Sequence, residues 1–292
     1  MAKTPIFSVL KAQESKSLGT TVLSLLKAAG WEDISSNPAT DFIVMHSKGE
    51  SGDANYCFQM KVPNGSPTYD IQIRLSGTYT PGAPGSAGVF AVPSAQWFNV
   101  PMASQTGNYT LPSKGLTDLM QDLFYNINKD CCKIVTAPPV STYYWGALTG
   151  SRFFVIGSPD LYYTTKSSKD VIYITNCKLA SNEPLVISTS ESYSEATGNT
   201  TGKIDLINQR NAHDLAVTCN GDIVLKPLTI VHNVSGVIGE LQGIYGISLT
   251  TSPGLMFRNI AQDDKYEYNI LRAISSSNIG NTMFYAIATK QL

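Results

Sequence analysis

Residues 42–75 read FIVMHSKGESGDANYCFQMKVPNGSPTYDIQIRL. Apolar, aromatic and β-branched runs at 42–46, 56–62 and 69–75 are separated by clusters of Gly, Asp, Asn, Ser and Pro, the residues that turns require. In the last run Ile71, Ile73 and Leu75 alternate with Gln72 and Arg74. Successive side chains of a strand point to opposite faces, so this alternation predicts a half-buried antiparallel strand with its polar residues outward.

The same grammar continues along the chain. Short runs recur at 133–136, 142–148, 152–157, 170–175 and 185–188. From Gly236 onward at least three more strands are expected, including KYEYNILRAI and the closing MFYAIATKQL. Regular short strands with polar turns imply antiparallel sheets arranged as sandwich or barrel-like units. Composition agrees: with 15 Tyr, 23 Gly and 15 Pro, the chain favours strands and turns over helix bundles.

Two segments carry a helical period instead. Leu18, Val22, Leu25 and Leu26 predict a helix near 15–29, with Ser15 or Ser17 as its cap and Gly30 as its stop. Leu116, Leu119, Met120, Leu123, Phe124 and Ile127, opened by Pro112 and Ser113, predict a second near 113–128. Each is expected to pack one face on a sheet. The fold class is therefore mainly β with a few helices (α+β), divided into an N-terminal α+β domain at 1–135 and a C-terminal mainly-β domain at 136–292. The Pro-, Gly- and Ser-rich stretch 80–95 reads as a long exposed loop, and 188–201 as an exposed excursion.

Charge narrows the function classes. The net charge is −1, and only 15% of residues are charged, against about 25% in an average soluble domain. No run of like charges offers the clustered Lys and Arg from which nucleic acid and anionic lipid draw binding energy, so neither is an expected partner. No segment reaches the ~18 apolar residues of a membrane span, and MAKTPIFSVLKAQESKS lacks the apolar stretch of a secretion signal. The protein is expected to fold in the cytoplasm of the cell that makes it. Five cysteines (Cys57, Cys131, Cys132, Cys177 and Cys219) show no CxxC spacing. They are read as reduced, mostly buried apolar groups, and the adjacent pair as a helix end entering a strand.

Local chemistry is sparse. His46 ends an apolar strand, His232 lies in the strand-like TIVHNV, and His213 stands beside Asp214 in the polar NQRNAHDL. A His-Asp pair in a turn is common by chance, and catalysis needs convergent partners in a pocket. Asp263 and Asp264 precede an alternating strand and suit a turn, while DDK supplies too few oxygen ligands for calcium. No GxSxG, HExxH, GxxxxGK[ST] or GxGxxG pattern occurs. The reading is a non-enzymatic protein with no catalytic, metal or cofactor-binding residues and no cofactor.

Against this background, three stretches resemble structural proteins of tailed-bacteriophage virions. In LLKAAGWEDISSNPATDFIVMHSKGESGDANYCFQMKV (25–62) a helix leads through Gly-Trp into a strand, a Gly-rich hairpin and another strand. VSTYYWGALTGSRFFVIGSPDLYYTT (140–165) is similar to a Tyr-Trp, turn, Arg-apolar-strand hairpin. GVIGELQGIYGISLT (236–250), with KYEYNILRAI and MFYAIATKQL, is similar to a late strand series ending in Tyr-Ala-Ile. The longer aliphatic, Pro-rich core expected between the last two is missing, which leaves tail, baseplate, neck and capsid exterior open, with the tail, baseplate or neck preferred.

The resemblance implies a virion subunit made in the host cytoplasm, whose partners are copies of itself and other virion proteins under closed symmetry. The alternative is a carbohydrate- or receptor-binding module whose partner is a host-surface glycan. Interface candidates are Trp97, Phe98, Tyr79, Tyr143 and Tyr144, because Tyr and Trp combine contact area with a polar tip. Core packing is the plainer reading for Trp31 and Trp145, so Trp97, beside the loop, is the better contact. The arm 1–16 and the loop 80–95 are expected to become ordered on assembly.

Overall fold

The computed structural model describes residues 6–14, 17–62, 71–75, 78–91, 97–100, 120–137, 151–158, 172–175, 185–188, 202–205, 225–232, 236–249, 258–272 and 282–292. Among these residues the architecture is mainly β, with every strand pairing antiparallel and two helices.

In chain order, β1 (Ile6–Glu14) leads to α1 (Leu18–Ala28), β2 (Glu32–Asp33), α2 (Pro38–Asp41), β3 (Ile43–Ser47), β4 (Tyr56–Lys61) and β5 (Gln72–Leu75). The strands β6 (Thr78–Thr80), β7 (Val89–Ala91) and β8 (Phe98–Asn99) come next. They are followed by β9 (Met120–Ile127), β10 (Cys131–Ala137), β11 (Arg152–Gly157), β12 (Ile172–Thr175), β13 (Leu185–Ser188) and β14 (Gly202–Asp205). Last come β15 (Lys226–His232), β16 (Gly236–Leu249), β17 (Arg258–Gln262), β18 (Tyr266–Arg272) and β19 (Thr282–Gln291).

The largest sheet has 12 strands in the order β1-β9-β10-β11-β12-β13-β14-β15-β16-β19-β18-β17; a second has five, β2-β3-β4-β5-β8; β6 and β7 form a separate pair. The large sheet returns on itself. Phe124, Val135, Phe153 and Val155 of β9–β11 meet Leu228, Leu241, Ile244, Leu271 and Ile287 of β15, β16, β18 and β19 in one core, as in a sandwich. Leu123, Ile127, Cys132, Ile134, Phe154 and Ile156, on the other face of β9–β11, join Leu18, Val22 and Leu26 of α1 and Met45, Phe58, Met60, Ile73 and Leu75 of the five-stranded sheet. The strands β9–β11 are thus a central layer covered on both faces. The expected boundary at 135/136 falls inside β10, which pairs with β9 on one side and β11 on the other.

The double burial corrects the second expected helix. Of residues 113–128, those from Met120 to Ile127 form β9, while 113–119 lie outside the described residues. A strand buried on both faces is apolar at consecutive positions, and a short run of that kind satisfies a helical stripe equally well. Leu123 and Ile127 face one core and Phe124 the other. Cys131 and Cys132 accordingly open β10 after a tight turn from β9, where Asn128 Oδ1 accepts from the N–H groups of Asp130 (3.0 Å) and Cys131 (2.7 Å).

The first helix stands where its periodicity put it. Ser17 is its N-cap but its side chain makes no capping bond. Gly30, at φ +94°, ends it: its N–H donates to Lys27 O and that of Trp31 to Leu26 O, each at 3.0 Å, which is the Schellman arrangement. Trp31 is buried at 2% exposure; it packs edge-on against Phe58 and its Nε1–H donates to Asn128 O at 2.8 Å.

Two further expectations change. The arm at 1–16 contributes β1, paired along β9 with Ile6 and Leu10 against one core and Val9 against the other. The stretch 80–95 holds β7, which closes a hairpin onto β6. The tip between them follows the loop reading, with Ala83, Pro84, Gly85 and Ser86 exposed, and 92–95 lie outside the described residues. The expected strand at 142–148, and 189–201 of the excursion, lie outside the described residues.

Candidate functional site

The outer side of the five-stranded sheet is where polar and aromatic groups converge. The register places Val44 opposite Gln59 and Gln59 opposite Arg74, with Lys61 opposite Gln72 one step along. The hairpin β6–β7 and the single turn α2 meet beside this face, and Asp41 joins them.

Asn37 caps α2 by accepting from Ala39 N–H, with Pro38 at the first helical position where its missing N–H is harmless. At the other end Asp41, 5% exposed, takes three hydrogen bonds on Oδ2: from Tyr79 Oη–H at 2.7 Å, Gly88 N–H at 2.8 Å and Asn37 N–H at 3.1 Å. Burial alone raises a carboxyl pKa; here the donors outweigh it and hold Asp41 below its ordinary value. Ser36 adds a second tie, its Oγ accepting from Gly82 N–H at 2.8 Å and its N–H donating to Tyr79 Oη at 3.1 Å. A Cβ at Gly88 would run into the Tyr79 hydroxyl that is bound to Asp41, so one or the other must shift.

Directly after Asp41, Phe42 sits at φ 59°, ψ −163°, a backbone region that is essentially restricted to glycine. That conformation sets the Phe42 ring against Trp97, with centroids 4.8 Å apart and planes at 74°. Lys61 Nζ lies 5.6 Å over the Phe42 ring. The guanidinium of Arg74 lies 5.1 Å from the Trp97 centroid and 5.3 Å from that of Phe90, within cation–π range of both. Phe90 in turn rests 6.3 Å from Tyr79. Arg74 Nε donates to Gln59 Oε1 at 2.9 Å, and Gln59 Nε2 donates to the Asp41 carbonyl at 3.0 Å. One continuous row therefore runs from exposed Lys61 through Phe42, Trp97, Arg74 and Phe90 to Tyr79 and buried Asp41.

The electrostatics of the row are one-sided. Among the described residues neither Lys61 nor Arg74 is ion-paired, and burial draws the Arg74 pKa below its ordinary value. The one carboxylate of the row, Asp41, points to backbone and Tyr79 donors. The arrangement holds two cations beside partly exposed rings and suits recognition of a negatively charged or π-rich partner.

Of the sequence candidates, Trp97 and Tyr79 belong to this row. Phe98 lies on β8, paired with Ile73. Tyr143 and Tyr144, with Trp145, lie outside the described residues. Sequence reading passed over Phe42, Arg74, Lys61 and Asp41. Outward alternation already marked Arg74 as solvent-side, whereas a Phe forced to positive φ leaves no mark in a sequence. His46 sits on β3 with Nε2 2.9 Å from Asn55 Oδ1, His232 is on β15, and His213 is outside the described residues. Asp263 does occupy a turn, accepting from Lys265 and Tyr266 N–H and from Tyr268 Oη–H. Cys57, Cys131 and Cys132 are buried thiols outside any disulfide; burial pushes the Cys57 pKa up to about 12 and that of Cys132 well above a thiol's usual value.

Among the described residues no group of three or more His, Cys, Asp or Glu is placed to hold a metal ion, and no helix is long and apolar enough to cross a membrane. Comparisons with known protein families, with curated proteins and with solved structures found no match to this chain.

Proposed function

We propose that the protein is a structural component of a tailed-bacteriophage virion, in the tail, baseplate or neck, acting through protein–protein contacts in a symmetric assembly. The resemblance of residues 25–62, 140–165, 236–250, 265–274 and 283–292 to such proteins supplies the class. The observation that carries contact as its mode of action is the rigidly held row Phe42–Trp97–Arg74–Phe90. Trp, Tyr and Arg dominate the binding energy of protein interfaces, and side chains already fixed in place lose little entropy on binding.

Light scattering on the purified full chain, across concentration and beside negative-stain microscopy, tests this reading. The expected result is a closed ring or other symmetric oligomer whose mass is an integral multiple of 31.5 kDa. A monomer at every concentration that instead binds a neutral glycan saturably supports a receptor-binding module. Trimming the N-terminal arm is a poor probe of assembly, because β1 is part of the sheet and its loss opens both cores.

A further inference from the structure

The Lys61–Phe42–Trp97–Arg74 row carries more than a general capacity for contact. Two positive charges stand about one aromatic pair, and none of the described carboxylates neutralises them. Arg74 is oriented by Gln59, which is itself fixed to the Asp41 carbonyl, so the guanidinium is positioned before any partner arrives. The strained backbone at Phe42 is retained beside a buried carboxylate with three donors. Strain of this kind persists only where its surroundings over-determine it, and it gathers at binding and switching sites.

We propose that this row is a docking site for an acidic polypeptide segment, an Asp- or Glu-bearing stretch of a neighbouring protein. This rests on the reading that the chain acts through protein contacts. Charge complementarity argues for carboxylates, which a guanidinium and an ammonium receive in charge-assisted hydrogen bonds. Nucleic acid is a poor occupant: its affinity comes from many phosphates met by many cations, and two do not suffice in a chain of net charge −1. A glycan is also poorer, because a sugar stacks on an open ring face, and here a cation already lies over each of the rings of Phe42, Trp97 and Phe90. A peptide carboxylate needs only the outward sides of the two cations.

The test titrates the full chain with a fluorescein-labelled oligoglutamate peptide, reading anisotropy. An oligoglutamine peptide of equal length and an oligogalacturonate of matched charge serve as controls. Expected are saturable binding of oligoglutamate that weakens with salt and no binding of oligoglutamine. Lys61→Gln, at an exposed position, should weaken binding about fivefold, and Arg74→Gln about thirtyfold. Circular dichroism melting verifies that both variants fold, and Lys61→Gln keeps the test informative if Arg74→Gln does not. Absence of oligoglutamate binding, indifference to Lys61→Gln, or preference for oligogalacturonate overturns the proposal. Binding by a protein that stays monomeric leaves this site standing while the symmetric-assembly reading falls; an oligomer that ignores peptide and variants gives the reverse.

Discussion

Replacing Asp41 with Asn isolates the charge at the centre of the site while keeping its shape. Three donors converge on Oδ2, from Tyr79, Gly88 and Asn37. A hydrogen bond to a charged acceptor contributes about 1.5–3 kcal/mol and a neutral one about 0.5–1.5 kcal/mol, so an amide oxygen in the same place gives up roughly 1 kcal/mol per bond. Removing a buried charge returns part of that sum, because the neutral amide is less costly to desolvate. The net expectation is a loss of about 2 kcal/mol, concentrated on the attachment of the β6–β7 hairpin. Urea denaturation measures the global part; hydrogen exchange at the Gly88 amide, which donates directly to Asp41, measures the local part. The pH dependence supplies an independent check. The Asp41 pKa is lower in the folded protein than its ordinary 3.8, so its contribution is complete above that value and is lost as pH falls below it through the folded pKa. The gap between parent and Asp41→Asn should therefore be constant near neutrality and close only below about pH 4. A variant within about 0.5 kcal/mol of the parent, with Gly88 exchange unchanged, refutes the reasoning.

Other perturbations test the surrounding packing. Gly88→Ala places a Cβ against Tyr79 Oη and should release the hairpin, read as raised protease cleavage within 81–88 while α1 stays protected. Gly157→Ala, at φ +126° with its Cβ driven against the Asp130 carbonyl, should lower stability by about 2 kcal/mol or more in urea melts, and a neutral result would mean that the β9–β10 turn yields freely. Trp31→Phe removes the indole donor to Asn128 O and should cost about 1–3 kcal/mol, measured the same way. Cys57, Cys131 and Cys132 should resist a thiolate-specific reagent at pH 8 until the protein is unfolded, as peptide mapping after labelling would report; labelling in the native state contradicts their burial.

The β character of the chain was legible because local periodicity carries it. The alternation of Ile71, Ile73 and Leu75 with Gln72 and Arg74 needs only one covered face, and the stripe of α1 ended at Gly30 as its turn chemistry required. The helix expected at 113–128 failed for the opposite reason. Period identifies an element only when one face meets solvent, and β9 meets two cores.

The site divides along the same line. By itself the sequence determined that Trp97 and Tyr79 were candidate contact aromatics, that Arg74 faced outward, and that charged residues are few and unclustered. Only the tertiary structure decided that Phe42, Lys61, Arg74 and Trp97 stand in one row and that Asp41 is the group tying the β6–β7 hairpin to α2. These residues come from separate elements, α2 and the residue that follows it, β4, β5 and the approach to β8, and what brings them together is strand register and a hairpin folded back onto the sheet. The backbone of Phe42 shows the limit most directly. A phenylalanine enters a glycine-like conformation only where its surroundings impose it, so nothing in its neighbours along the chain announces it.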